Sequence, residues 1–392
     1  MADAPAFGRR PRFSPETDGS EKWQLALEMC PGAGLSHTLE TEGQQGIIES
    51  LAGQWGPVLA VWEGHAVDPE IRFKGSSGGI LSAISLYCLE HEGMHGVLHT
   101  AADDQKPFLN KTVFSKNRDE ILAASGSRYS PASPCEGLQK IEDAHSPCVF
   151  IGKPCDAAAV HKARQHREAL NTRVGLTMAC FCAGTPSTNG TMELLRQMGI
   201  DDPKKVVKLR YRGQGWPGKT VAVYRDKGEI VQTECTYEQS WGNILQKYRQ
   251  WRCYICPDHT GEFADIATGD PWYKPVEEGV HGRSLILART ETGRLIIESA
   301  IAAGYLSAEK VDFSLLPASQ PNLLKTRARL WGQLVPLWLF HAPTPSYRGF
   351  SLFTAWWRNL TYRDKIHSVL GTVKRIYMKK IKKRMDMYYG AN

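Results

Sequence analysis

The sequence lacks any run of about 20 apolar residues, the length a bilayer-spanning helix requires. Its most apolar stretch, Leu330 to Phe340, is interrupted by Gln333 and Pro336. The first 22 residues are rich in proline and charge. No apolar segment follows Arg9, Arg10 and Arg12, so neither a secretory nor a twin-arginine signal is recognisable. Without export thiols stay reduced, and the ten cysteines read as metal ligands rather than a disulfide framework. A cytoplasmic location is the expectation. The Gly-x-Gly-x-x-Gly fingerprint is absent from the first strand–helix turn, which disfavours a standard NAD site. No internal repeat is evident. Residues 361–392 hold nine Lys or Arg against two Asp, which accounts for the whole net charge of +7 and leaves residues 1–360 neutral. No nucleic-acid partner is expected.

What is present suits a sizeable core: 392 residues, 42% of them hydrophobic. Residues 1–22 read as a disordered leader. From Pro57 to about Leu316 short apolar runs alternate with amphipathic stretches, predicting the α/β (mixed α+β) class, a mixed sheet flanked by helices. Predicted strands are Val58–Trp62, Gly96–Thr100, Cys148–Ile151, Val174–Cys180, Val206–Arg210, Thr220–Tyr224 and Leu285–Ala288. Predicted helices are Ile80–Glu90, Asp156–Ala169, Thr191–Met198 and Leu295–Ala303. Residues 57–320 form the predicted catalytic domain. Residues 321–392 form a Trp-rich, basic extension with Trp331, Trp338, Trp356 and Trp357. Within it, Ile366, Val369, Leu370, Val373, Ile376 and Tyr377 recur at helical spacing, with lysines opposite. That pattern predicts a helix from Ile366 to Arg384 that packs its apolar side on the body. Its basic side is left to solvent, or to a peripheral membrane or acidic partner.

Four cysteines stand at the ends of predicted elements. Cys155 follows a strand and a Gly-Lys-Pro turn and opens a helix, where unpaired amides lower a thiol's pKa. Cys182 follows the run Val174 to Phe181. Cys253 and Cys256 form a Cys-x-x-Cys before Pro257 and Asp258. Strand ends in α/β proteins converge on one sheet edge, where sites form. Four sulfurs and no obligatory nitrogen are what a 4Fe–4S cluster takes, although four thiols also make a tetrahedral zinc site. Three polar loops accompany them: Lys74-Gly-Ser-Ser-Gly-Gly79, Ser125-Gly-Ser-Arg-Tyr-Ser-Pro131, and Arg210-Tyr-Arg-Gly-Gln-Gly-Trp-Pro-Gly218. Glycines let backbone amides approach a phosphate, and arginine offers it a planar fork. Each loop alone is equally a solvated turn; together they suggest a large anionic cofactor.

These residues also carry a resemblance. Ser77-Gly-Gly79, Ser127-Arg-Tyr129, Gly152-Lys-Pro-Cys155, Phe181-Cys182, Arg212-Gly-x-Gly215, Cys253-x-x-Cys256-x-Asp258 and Ala264-Asp-Ile-x-x-Gly-Asp270 occur in one order. The set resembles the beta-subunit family of coenzyme F420 hydrogenases and dehydrogenases, a group of iron–sulfur flavoproteins that includes 7-hydroxymethyl chlorophyll a reductase. The resemblance runs from about Leu27 to Leu306. It implies an oxidoreductase with FAD and a 4Fe–4S cluster ligated by Cys155, Cys182, Cys253 and Cys256. Ser77, Gly78, Gly79, Ser127, Lys153, Arg212 and Gly213 would then neighbour the flavin, with Lys153 the catalytic cation. Electrons would come from a one-electron donor, ferredoxin or a deazaflavin coenzyme, and pass to a small organic acceptor. The alternative is an electron-relay or assembly subunit of a larger complex; a homo-oligomer is also open. Residues 23–56 would be the remnant of a ferredoxin-like segment, because only Cys30-Pro31-Gly32 is left of its cysteine cassette. One cluster, not two, is expected, unless Cys88, Cys135, Cys148, Cys180 or Cys235 supplies further ligands.

Overall fold

A computed structural model of the chain describes residues 2–6, 8–10, 20–37, 46–276, 281–379 and 381–382. Of the predicted leader, residues 1, 7 and 11–19 lie outside the described residues; Ala2–Ala4 and Gly8–Arg10 form a two-stranded antiparallel pair rather than disordered chain, and a helix begins at Ser20. The main sheet uses eight strands: β1 (Ala60–Ala66), β2 (Val97–Ala102), β3 (Asn110–Ser115), β4 (Cys148–Gly152), β5 (Val174–Cys180), and, after an intervening hairpin, β9 (Ile266–Gly269), β10 (Ser284–Ala288) and β11 (Leu306–Lys310). Their order is β11-β1-β10-β9-β5-β4-β2-β3. The four central strands β9, β5, β4 and β2 run parallel, and antiparallel strands flank them on both sides. A smaller antiparallel sheet holds β6 (Val206–Arg210), β7 (Thr220–Asp226) and β8 (Glu229–Cys235).

Period-2 alternation along each strand sends successive side chains to opposite faces. Val97, Val149, Leu176 and Ile286 face one core, completed by helix α1 (Ile80–Glu90) and helix α4 (Glu291–Ala302). Leu98, Phe150 and Val174 face another, completed by Val160 and Ala163 of helix α2 (Pro154–Arg164). The mixed α/β class predicted from the sequence is therefore the observed one, with helices on both faces.

All seven predicted strands form, six with boundary shifts of up to two residues; the predicted Val58–Trp62 is observed as Ala60–Ala66, ending four residues later. The strands that the sequence pattern did not predict are short or sit at sheet edges. β3 (Asn-Lys-Thr-Val-Phe-Ser) and β8 (exposed at alternate positions) carry too little apolar signal, because one side of an edge strand meets water. The predicted helix Asp156–Ala169 ends at Arg164, and a separate short helix covers Glu168–Arg173. Helix α3 (Thr188–Gln197) matches its prediction within three residues.

Beyond the sheet, helices α5 (Pro321–Ala328), α6 (Leu330–Leu339), α7 (Leu352–Asn359) and α8 (Tyr362–Met378) form the C-terminal part. Leu323 of α5 packs with Leu285 and Leu287 of the main sheet. The inward face of α8 is rotated from the predicted one: of the six predicted residues only Ile376 is buried, and Val369 and Val373 are half-buried. Ser368, Thr372 and Ile376 are buried, while Ile366, Leu370 and Tyr377 are exposed. The reason is the neighbour. Gly332 of α6 lies so close that a Cβ there would collide with the Ser368 hydroxyl, so only small side chains fit between the helices. Residues 380 and 383–384 of the predicted helix lie outside the described residues.

Candidate cofactor site

β4 and β5 are adjacent and parallel, pairing Gly152 with Ala179 at their carboxyl ends. Each chain leaves the sheet there, into Lys153-Pro154-Cys155 at the start of α2 and into Phe181-Cys182. Cys155 and Cys182 therefore meet at one sheet edge. A hydrogen bond from Cys182 N–H to the His259 carbonyl, 2.9 Å, fastens that edge to the segment after Cys256. The Thr185 N–H donates to the Cys253 sulfur at 3.3 Å. The Cys155 thiol feels both Cys256 and Cys182, and the Cys182 thiol feels Cys253, so the four sulfurs form one group. Cys180, which lines the cavity beside these thiols, keeps accessible surface, as does Cys155.

Three of these thiols, Cys155, Cys182 and Cys256, do not ionise easily. Burial pushes Cys155 well above the usual thiol range, the Asp156 carboxylate adds to this, and Lys153 offsets part of it. The lowered pKa predicted from the helix terminus is therefore overridden, because desolvation of a buried anion outweighs a partial dipole charge. Burial likewise raises Cys182, and pushes Cys256 up to about 12. A cationic group bound among them would supply the missing positive charge. Among the described residues, no three His, Cys, Asp or Glu side chains close on the position of a single metal ion.

Beside the thiols opens a cavity of about 340 Å³. Of the sequence-predicted residues, Ser77, Gly79, Ser127, Lys153, Arg212 and Cys182 line it; Gly78, Gly213, Cys155, Cys253 and Cys256 do not. The two glycines stand behind the wall. Gly78 N–H donates to the Ser284 hydroxyl at 2.9 Å. Gly213 adopts φ 101°, and a Cβ there would approach the Lys74 carbonyl oxygen to 2.7 Å. The loop of residues 74–79 thus rests backbone to backbone on the loop of residues 210–218. Gly79 begins α1 at φ 76°, a left-handed start that glycine adopts without strain.

Two cations at this wall are already paired. The Lys153 ammonium donates to Asp156 at 2.5 Å, and burial, which would lower its pKa, is outweighed by Asp156 and the Cys155 thiol. Arg212 is 4% exposed and forms a two-pronged pair with Asp270 at 2.9 and 2.8 Å. It also donates to the Ser76 carbonyl at 2.6 Å and the Pro217 carbonyl at 2.9 Å, and lies over the rings of Tyr237 and Trp272. Its guanidinium knits three loops together.

Other wall residues were marked in the sequence only as spare cysteines, or not at all. Cys180 lines the cavity two residues before Cys182, a spacing visible in the chain. Tyr237, Trp241 and Trp272 line both this cavity and an adjoining groove of about 1300 Å³ rimmed by Lys208, Arg210 and Lys219. No local pattern marks them, because they come from separate loops. Cys30 is brought near the thiol group: Arg252, next to Cys253, donates to the Pro31 carbonyl at 2.6 Å, and Tyr347 feels both Cys256 and Cys30.

Comparison with known proteins fits this architecture. Residues 61–140 match the amino-terminal part of the family described as coenzyme F420 hydrogenase/dehydrogenase, beta subunit, and residues 146–313 match the carboxyl-terminal part of the same family. The chain belongs to the coenzyme F420 hydrogenase/dehydrogenase beta-subunit family. Among relatives in that family, the coenzyme F420 hydrogenase subunit beta of Methanococcus voltae is 28% identical over 252 residues, covering 63% of this chain and 83% of that one. The F420-dependent formate dehydrogenase 1 subunit beta of Methanococcus maripaludis is 24% identical over 278 residues, 70% of this chain and 65% of that one. The fold is shared with a chain of the F420-reducing nickel–iron hydrogenase complex from Methanosarcina barkeri, solved as a xenon derivative. The TM-score is 0.56 at 22% identity, over 72% of this chain and 94% of that one. Every thiol of the group and all three polar loops lie within the two family-matched segments.

Proposed function

We propose that this chain is an iron–sulfur flavoprotein oxidoreductase in which Cys155, Cys182, Cys253 and Cys256 hold one 4Fe–4S cluster and the adjoining cavity holds FAD. The observation that carries the reading is Cys182, which belongs at once to the four-thiol group and to the wall of the loop-lined cavity. The donor set fits: four sulfurs in one group, with Lys153 and Arg252 as nearby cations. The cavity fits a ring system, with serine hydroxyls and glycine backbone on one wall and Tyr237, Trp241 and Trp272 toward the groove. When bound, the cluster handles single electrons and FAD pairs them into a hydride equivalent for an organic acceptor or deazaflavin.

The protein's own part is placement and charge. Lys153 stands between the thiols and the cavity, where its cation favours added negative charge on either side. Arg212, held by Asp270, keeps the loops of residues 74–79 and 210–218 in register. The groove beyond Trp272 offers a route for a small anionic acceptor past Lys208 and Arg210. Ferredoxin or a deazaflavin coenzyme is the proposed donor.

A second reading, an electron-relay subunit of a larger complex, is favoured by one observation: the relatives named above are subunits. An anaerobic absorption spectrum with iron, sulfide and flavin assay tests the first claim. Flavin bands with a broad shoulder and about four irons per chain are expected; a colourless, zinc-loaded protein refutes it. Turnover by the isolated chain with reduced ferredoxin then supports the enzyme, and its absence with both cofactors present supports the relay.

A further inference from the structure

The C-terminal helices turn their large apolar side chains outward. On α8, at about 100° per residue, Tyr362, Ile366, Leu370 and Tyr377 fall within one sector of about 80°. Tyr362 is 84% exposed and Leu370 62%. Arg363, His367 and Lys374 lie alongside this sector. The helix's single carboxylate, Asp364, is turned away and paired with Arg329 and Lys325. Helix α6 has no charged residue at all, and its Trp338 is 70% exposed. On α7, Phe353 and Trp357 are exposed one turn apart.

Ring contacts join the three helices. Trp331 of α6 contacts the Phe353 ring at 5.0 Å, Phe353 contacts Trp357 at 6.2 Å, and the Lys365 ammonium lies over both Trp357 and Tyr362. At the other end, Phe340 of α6 meets Tyr377 of α8. Single exposed apolar residues are ordinary on protein surfaces, but a connected set across three helices marks a contact.

We propose that this face lies on an anionic lipid bilayer, with the Trp and Tyr side chains at headgroup level and the basic residues beside them on the lipid phosphates. Charge selects this occupant. Residues 361–392 carry the chain's entire net charge of +7, and α6 and α7 contribute no acid to the surface. Tryptophan, tyrosine and leucine beside Lys and Arg is the composition of helices that lie in a membrane interface. The family-matched segment ends at residue 313, before these helices begin. Among the described residues no helix is long and apolar enough to cross a membrane.

The test uses the full chain and unilamellar vesicles of phosphatidylcholine, with and without phosphatidylglycerol, in co-sedimentation at low and high salt. The native protein should bind the anionic vesicles, bind the zwitterionic ones far more weakly, and lose binding as salt rises. The double variant Trp338→Ser, Trp357→Ser should lose about tenfold or more in partition, as should Leu370→Ser with Lys374→Glu. Unfolding midpoints and bound iron should match the native protein, since each of these side chains is largely outside the core. Absence of native binding to anionic vesicles overturns the proposal, as does equal binding by both variants. A dimer in sedimentation velocity that the double variant abolishes, with no vesicle binding, would instead give this face to a second copy of the chain.

Discussion

Arg212→Ala removes a guanidinium that makes two charge-assisted bonds to Asp270, one bond to each of two backbone carbonyls, and stacking contacts with Tyr237 and Trp272. Removing one partner of a buried ion pair costs about 3–5 kcal/mol, mostly by stranding the other charge. Asp270 is 16% exposed, so water reaches part of the stranded carboxylate, and the lower end, about 3 kcal/mol, is expected. Arg212→Lys keeps the charge without the fork and should lose about half as much. Urea denaturation followed by circular dichroism measures this, in parallel with flavin titration of each folded variant. A guanidinium acting only on a flavin would leave stability within about 0.5 kcal/mol of native and weaken flavin affinity. That outcome would refute the reasoning, because it would mean that the Asp270 pair contributes nothing to the fold.

Burial lowers the His99 pKa to about 4 in the folded protein, against 6.5 for a free histidine, so below pH 6.5 protons bind the unfolded chain first and stability is lost on acidification down to about pH 4. The loss by pH 5 is about 2 kcal/mol, and His99→Gln should reduce the fall in stability between pH 7 and 5 by that order in pH-dependent urea melts. Cys155→Ala and Cys256→Ala should each abolish bound iron and labile sulfide after anaerobic reconstitution; full iron content in both would remove these residues from the proposed ligand set. Gly213→Ala places a Cβ 2.7 Å from the Lys74 carbonyl oxygen at φ 101° and should cost about 1–3 kcal/mol in the same melts, with Gly199→Ala, at φ 85° in open space, as the control for backbone strain alone.

The sequence by itself determined the class of fold and the identity of the chemical groups. Buried central strands read as continuous apolar runs, so the parallel β4 and β5 and the antiparallel β10 were legible, whereas edge strands such as β3 and β11 carry mixed polarity and were not. The order of glycine loops and cysteines was enough to indicate the family, since residue types at fixed spacing are local information. What local information does not contain is which side chains neutralise one another across the fold. Arg212 and Lys153 read as free cations for a cofactor; only the tertiary structure pairs them with Asp270 and Asp156. The raised thiol pKa values have the same origin, because desolvation depends on everything packed around a group and not on its place in a helix. The aromatic wall of Tyr237, Trp241 and Trp272 is likewise assembled from separate loops. The rotation of α8 makes the point most directly. Periodicity gives the apolar side of a helix, but close approach to Gly332 selects the small Ser368 and Thr372 for the interior and leaves the large apolar side chains outside.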